Sequence, residues 1–427
     1  MPMSRFGLLA PASSTSERRT RSLGLGAATR HHNERAVPGL GGLWFTRPLV
    51  WSLLGIHLAR QTGRSPVAVA NAIEALACHL AFRDGRARDP RVRGRTKLSR
   101  VARGFVPYAR ASRPGFYVTQ PMRQGLTQPL LDLGLVESGP RRFNAYHLSK
   151  PGESLLDLGV AGFRPHNTTV VEELKHWLRS APDASVRVAT DEMARALSPV
   201  FPAPETARRL LRDRLVAPAP LGSDPNDPAR RKAVMAWVAT FETQQPNASW
   251  DQRPSSLSID HWEDLHTGGE FFQARDAALA VLNHVERLLA PEAERRRALD
   301  LLAEESAERI QTFIDRATGY LERPETTRHV DATRLFGSLS RATPAQVLTA
   351  LVDLDGRGLT RRGSDVLAGP AYQGAATAPA EPTDEEGAAA PEARLILPPG
   401  ISGRIRSAWT LHLDLEGRLE TWLGGAA

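Results

Sequence analysis

Residues 121–158 constrain the fold more than any other stretch of this chain. They read PMRQGLTQPLLDLGLVESGPRRFNAYHLSKPGESLLDL. A leucine-rich helix closes at Asp132-Leu133-Gly134-Leu135-Val136, and a basic turn follows at Ser138-Gly139-Pro140-Arg141-Arg142. Residues 143–148 then form a short strand, and Ser149-Lys150-Pro151-Gly152-Glu153 opens a new helix. Cap, turn and strand residues in that order predict helix, strand, charged hairpin tip, strand and capped helix.

A chain of 427 residues is too long for one ordinary core, so several domains are expected. The net charge of +8 favours polyanions, chiefly nucleic acid or an anionic membrane surface. The many Arg, Ala, Pro and Gly look like the bias of a GC-rich bacterial genome, and arginine bias alone could produce part of that excess, so the distribution of charge matters more than its sum. The single cysteine, Cys78, makes no internal disulfide and no Cys-based zinc site, and is expected to be a buried small hydrophobe in a reducing cytosol. The most hydrophobic window, 44–59, contains Arg47, Pro48 and His57 and is too short to span a bilayer. With no convincing secretory signal, the expectation is a soluble cytoplasmic protein with no membrane partner.

Residues 1–43 are rich in Ser, Thr, Gly and Arg without sustained period and are expected to form an extended basic arm. Helices are expected over 44–60 and from Ser65-Pro66 onward, where Val69, Ile73, Leu76, Ala77 and Leu80 recur at helical spacing. Between them and the hairpin, residues 83–103 hold nine Arg or Lys against two Asp, the densest positive charge in the chain. A second helix-turn-helix outline spans 166–220, where Thr190-Asp191-Glu192 opens one helix and 205–215 carries Arg208, Arg209, Arg212 and Arg214. Residues 258–323 read as a helical spacer, and residues 328–368 as a third unit whose Leu359-Thr360-Arg361-Arg362-Gly363 looks like a strand and turn. Residues 369–393 form an Ala/Pro/Glu-rich flexible linker, and 394–427 a docking segment with short strands at 395–398 and 410–415.

No catalytic signature emerges. A metal site from His261, Asp264 and His266 is conceivable, but a solvated polar helix accounts for the same residues. No Gly-rich phosphate loop ending in Gly-Lys-Ser/Thr occurs, so neither cofactor nor metal is expected. The expectation is a non-enzyme.

The order of elements in 121–158, and the run Glu-Met-Ala-Arg-Ala-Leu … Pro-Glu-Thr-Ala-Arg-Arg-Leu-Leu-Arg-Asp-Arg-Leu-Val, resemble the winged helix-turn-helix superfamily and the core of bacterial transcription-regulator modules. The resemblance is generic and covers about a third of the chain. It implies a mainly α fold of tandem winged-helix or helix-turn-helix modules, here numbered 44–160, 166–220 and 328–368, with a helical spacer and small β elements. It also implies non-catalytic binding of double-stranded DNA. Arg123, Gln124 and Gln128 would read base edges from the recognition helix, and Arg141 and Arg142 would hold phosphate. Arg208, Arg209 and Arg212 would serve the second module, with Arg91, Arg93, Arg95 and Lys97 supplying sequence-independent affinity. The alternative is a protein–protein adaptor in a multi-protein mobile-element or anti-phage defence complex, with a protein partner or a second copy in place of DNA.

Overall fold

The structure, a computed structural model, describes residues 21, 23–101, 106–180, 188, 190–218, 224–241, 249–292, 294–372, 395 and 397–424. It is mainly α-helical. Helices α1 (Gly26–Ala36), α2 (Arg47–Thr62), α3 (Pro66–Arg83), α4 (Arg95–Leu98), α5 (Tyr108–Ala111) and α6 (Arg123–Asp132) lead to a hairpin of β1 (Val136–Glu137) and β2 (His147–Leu148). Then come α7 (Lys150–Val160), α8 (Val170–Arg179), α9 (Asp191–Leu197), α10 (Glu205–Val216), α11 (Asp227–Ala239) and α12 (Ile259–Leu289). Strand β3 (Arg296–Ala298) precedes α13 (Leu299–Glu305), α14 (Ala307–Glu322), α15 (Val330–Leu339) and α16 (Pro344–Asp355). Strands β4 (Leu359–Arg362) and β5 (Asp365–Ala368) are followed by α17 (Gly403–Leu415) and α18 (Leu419–Gly424).

Short polar side chains start several of these helices by accepting amide protons that would otherwise lack partners. Ser149 Oγ accepts from Gly152 N (3.2 Å) at α7, Thr169 Oγ1 from Glu172 N (3.1 Å) at α8, and Thr190 Oγ1 from Met193 N (3.0 Å) at α9. Thr343 and Gln346 cap each other's backbone at α16, with Pro344 at the first helical position.

The chain divides into two compact units, His32–Gly268 with Pro382–Ala427, and Met1–His31 with Gly269–Glu381. In the larger unit α2 is apolar all round, and 12 of its 16 residues are buried, which makes it the central helix. Its neighbours are α3, α6, α7 and α8. Gly55 lets α2 and α3 meet backbone to backbone, since a Cβ there would lie 2.5 Å from the Ala70 Cβ. The charge at the start of α2 is buried too. Arg47 donates to the carbonyls of Gly159 (3.2 Å), Arg195 (2.7 Å), Ala196, Phe201 (3.3 Å) and Pro202 (2.8 Å). Most of these lie at the C-terminal ends of α7 and α9, where carbonyls need donors. Burial lowers the guanidinium to about 10, an effect that Asp414 opposes, so the group stays charged at neutral pH. Asp414 of α17 accepts from the Thr46 amide (2.8 Å) and hydroxyl (2.6 Å), which fastens the C-terminal helix to the start of α2.

The smaller unit packs Phe271, Phe313, Tyr320 and Phe336 at its centre. Its sheet is antiparallel in the order β3-β5-β4, with Arg297 opposite Val366 and Arg361 opposite Val366 on the other side. Arg21 donates to Asp355 (3.0 Å) and Glu286 (3.0 Å), both buried, and so ties the N-terminal segment to α12 and α16.

Several expectations change. Residues 26–36 are helical and not an extended arm, because Leu23, Leu25 and Ala28 have a core to enter. The modules expected at 44–160 and 166–220 share one core, in which Trp177, Met193 and Leu211 pack with Trp51 and Leu76. The spacer expected over 258–323 supplies much of the smaller unit's core, from Phe271 to Tyr320. Residues 143–145 form a 3-10 turn, so the strand expected over 143–148 is confined to His147–Leu148, and residues 410–415 continue a helix capped by Ser402 and do not form a strand. The expected linker lies outside the described residues beyond 372.

Candidate nucleic-acid interface

Charge is distributed unevenly. Residues 32–268 hold 32 Arg or Lys and 22 Asp or Glu, whereas residues 269–372 hold 14 and 16. Within the first stretch, residues 83–150 alone hold 15 and four, so they account for all of its net positive charge. This segment runs from the end of α3 through α4, α5, α6 and the β1–β2 hairpin into α7.

The helix expected to read bases is enclosed. No residue of α6 is exposed. Arg123 donates to Asn71 Oδ1 (2.9 Å), and its guanidinium lies 4.8 Å from the centroid of the Phe143 ring. Burial lowers its pKa, partly offset by Glu74. Gln124 Oε1 is enclosed without a hydrogen-bond partner among the described residues. Gln128 accepts from Arg404 (3.3 Å) of α17. Glu74, buried in α3, accepts from the amides of Met122 (2.7 Å) and Arg123 (3.3 Å) and so caps α6 from inside the core. Desolvation raises the Glu74 carboxyl above its usual range and pushes the neighbouring Cys78 thiol up to about 12. Arg123, Gln124 and Gln128 therefore correct the sequence expectation. Arg123 ties α6 to α3 and the hairpin, Gln128 is engaged by α17, and the Gln124 oxygen is turned inward.

The second expected helix is engaged as well. Arg208 donates to the carbonyls of Asp414 (3.0 Å) and Leu415 (3.0 Å), and Arg212 to Leu415 (3.0 Å) and Glu416 (2.8 Å). Arg209 pairs with Glu205 at 2.7 Å, one turn away. Arg208 and Arg212 satisfy the carbonyls at the end of α17 and are not free cations.

In the tract after α3, Arg91 is 1% exposed and holds Asp89 by two bonds (2.9 and 2.7 Å), which removes it from any surface. Arg93 is half-buried near the Gln120 carbonyl (3.5 Å). Arg95 and Lys97 remain exposed. Arg95 donates to the Arg88 carbonyl (2.8 Å) and Lys97 to the Gly115 carbonyl (2.9 Å), contacts that orient each side chain without cancelling its charge. Arg141 and Arg142 are exposed at the hairpin tip, as expected. Glu137, paired with His147 across the strands, is the one carboxylate within 136–148.

Arg88 and Arg100 of the dense tract are exposed as well, and so are Arg64, Arg110 and Arg113, which sequence reasoning passed over. The available signal was that positive charge continues past the dense tract. None of these five, nor Arg95, Lys97, Arg141 or Arg142, forms an ion pair among the described residues.

Specific contacts make neighbours of several of these segments. The Lys97–Gly115 bond sets α4 beside the 113–116 turn, and Arg110 lies 5.6 Å from the Phe116 ring centroid. Arg64, in the α2–α3 turn, lies 4.8 Å from the ring centroid of Tyr108 in α5. Asn144 in the hairpin accepts from Val67 N (3.1 Å) at the start of α3. The tract, α5, the α2–α3 turn and the hairpin tip are thus neighbours in sequence-distant pairs.

The conceivable metal ligands are separately engaged. His261 Nε2 lies 2.9 Å from the Ala36 carbonyl, Asp264 pairs with Arg35 (3.4 Å) and Arg230 (2.7 Å), and His266 stacks on Trp250. Among the described residues no group of three or more His, Cys, Asp or Glu is placed to hold a metal, and no helix is long and apolar enough to cross a membrane. No protein-family model, curated protein or solved structure matches the chain.

Proposed function

We propose that this chain is a non-catalytic protein that binds double-stranded DNA through the basic face of its larger unit. The observation that carries the reading is the set of exposed, unpaired cations on 83–150 and the α2–α3 turn, held together by the contacts of Lys97, Arg64 and Asn144. Cations without carboxylate partners attract phosphate and release its condensed counterions. The helix–turn–helix of α15 and α16, followed by the β4–β5 hairpin, has the order that the winged-helix resemblance implies, and it supports a module of that kind in the smaller unit.

Fluorescence anisotropy of a labelled duplex with the full chain, over a salt series, tests the proposal. Affinity that falls steeply with salt is the expected result, and no binding at about 0.05 M salt, where electrostatic contacts are strongest, refutes it.

A protein contact is the second reading, and it concerns the smaller unit. The outer face of α16 presents Leu354, 43% exposed, and Asp353, which pairs with Arg361 at 2.9 Å. A face with an apolar residue and a neutralised wing arginine suits a protein partner better than a phosphate backbone.

A further inference from the structure

We propose that the basic face recognises the phosphate backbone of duplex DNA without regard to base sequence, an inference that rests on the DNA-binding reading above. Reading base edges in the major groove requires an exposed helix or ribbon whose side chains reach in. Helix α6 exposes no residue. Helix α10 exposes Arg209 and Arg212, but Glu205 and Glu416 neutralise them and Asp213 is exposed beside them. Helix α16 exposes Gln346, whose side chain caps Thr343 (2.9 Å), and Asp353, a carboxylate that phosphates repel. The three helices that the winged-helix resemblance would make readers are thus covered, neutralised or acidic.

The free cations sit instead on turns, short helices and a hairpin. Arg95, Lys97 and Arg113 flank the Lys97–Gly115 contact, Arg64 borders α5, which carries Arg110, and Arg141 and Arg142 lie in the hairpin turn. Groups of this kind position a duplex by its phosphates and carry little sequence information. Single strands call for aromatic platforms on which bases stack. No Phe, Tyr or Trp between residues 106 and 150 is exposed: Tyr108, Tyr117, Phe143 and Tyr146 are buried, and Phe116 is half-covered beneath Arg110. The occupant is therefore a duplex, held from outside.

The experiment compares the full chain's affinity for A·T-only, G·C-only and mixed duplexes of about 20 base pairs, and for one single strand of equal length, since electrostatic binding scales with phosphates available. The expected result is duplex affinities within about threefold of one another and a single strand at least about tenfold weaker. Changing Arg110 and Arg113 together to Ala weakens all three duplexes by the same factor, with an unchanged circular-dichroism melting curve. A preference of about 100-fold for one duplex, the scale of base-specific contacts, overturns this inference and leaves DNA binding standing. Equal or tighter binding of the single strand also overturns it. Failure of every probe to bind removes both readings.

Discussion

Changing Arg141 and Arg142 together to alanine isolates the electrostatic contribution of the hairpin tip. Both side chains are exposed and make no ion pair among the described residues. The hairpin itself is held elsewhere, by Phe143 against Arg123 and by Asn144 on the Val67 amide. The double variant is therefore expected to keep the parent's stability within about 0.5 kcal/mol. If each arginine neutralises one phosphate, the slope of log K against log salt becomes shallower by about 1.8. Counterion release then lowers affinity about 30-fold at 0.15 M salt and about 200-fold at 0.05 M salt. Anisotropy titrations of parent and variant at four salt concentrations, beside their melting curves, supply both numbers. An unchanged slope with intact folding would falsify the assignment of the tip. Weaker binding with a lowered melting temperature would mean instead that the arginines support the fold.

Arg47→Met leaves the Gly159, Arg195 and Pro202 carbonyls without their buried donor, and urea unfolding should show a loss of about 3–5 kcal/mol; a loss below about 1 kcal/mol refutes the stitching role. Gly152→Ala should lower stability markedly, because a Cβ there lies 1.9 Å from the Leu135 carbonyl oxygen; an unchanged melting temperature shows that α7 can shift freely. Acid should remove the stability that His79 and His261 contribute to the larger unit, whereas Glu74 and Asp414, raised by burial, act in the opposite sense. Burial lowers the pKa of His79 and His261, so the unfolded chain takes up protons that the folded one refuses. That stability is complete above the unfolded imidazole value of about 6.5 and declines below it, by at most about 1.4 kcal/mol per pH unit for each group. Urea midpoints at pH 8 and pH 5 for the parent and for His79→Gln check this: the gap in stability between the two proteins should narrow or reverse in the variant's favour at pH 5. Finally, Arg209→Ala should leave DNA affinity unchanged in the same titrations, since its partner Glu205 is one turn away on an electrically balanced face.

Local chemistry was legible in the sequence to a considerable depth. The hairpin at 136–148 with Arg141 and Arg142 at its tip, the caps at Ser149, Thr190 and Thr343, and the helical periods after Ser65 all depend on residues close together in the chain. So does the concentration of positive charge between 83 and 150. What those residues face depends on partners far away in sequence. Arg123 and Gln128 look like groove readers until Asn71, Phe143 and Arg404 arrive to take their polar atoms. Arg208 and Arg212 look like free cations until the end of α17, some 200 residues later, offers them carbonyls. An arginine's hydrogen-bonding capacity is the same whether it meets a phosphate or a helix terminus. Composition and spacing therefore determined which segments are helical, capped and basic, and only the tertiary packing decided which cations stayed exposed without an ion pair among the described residues.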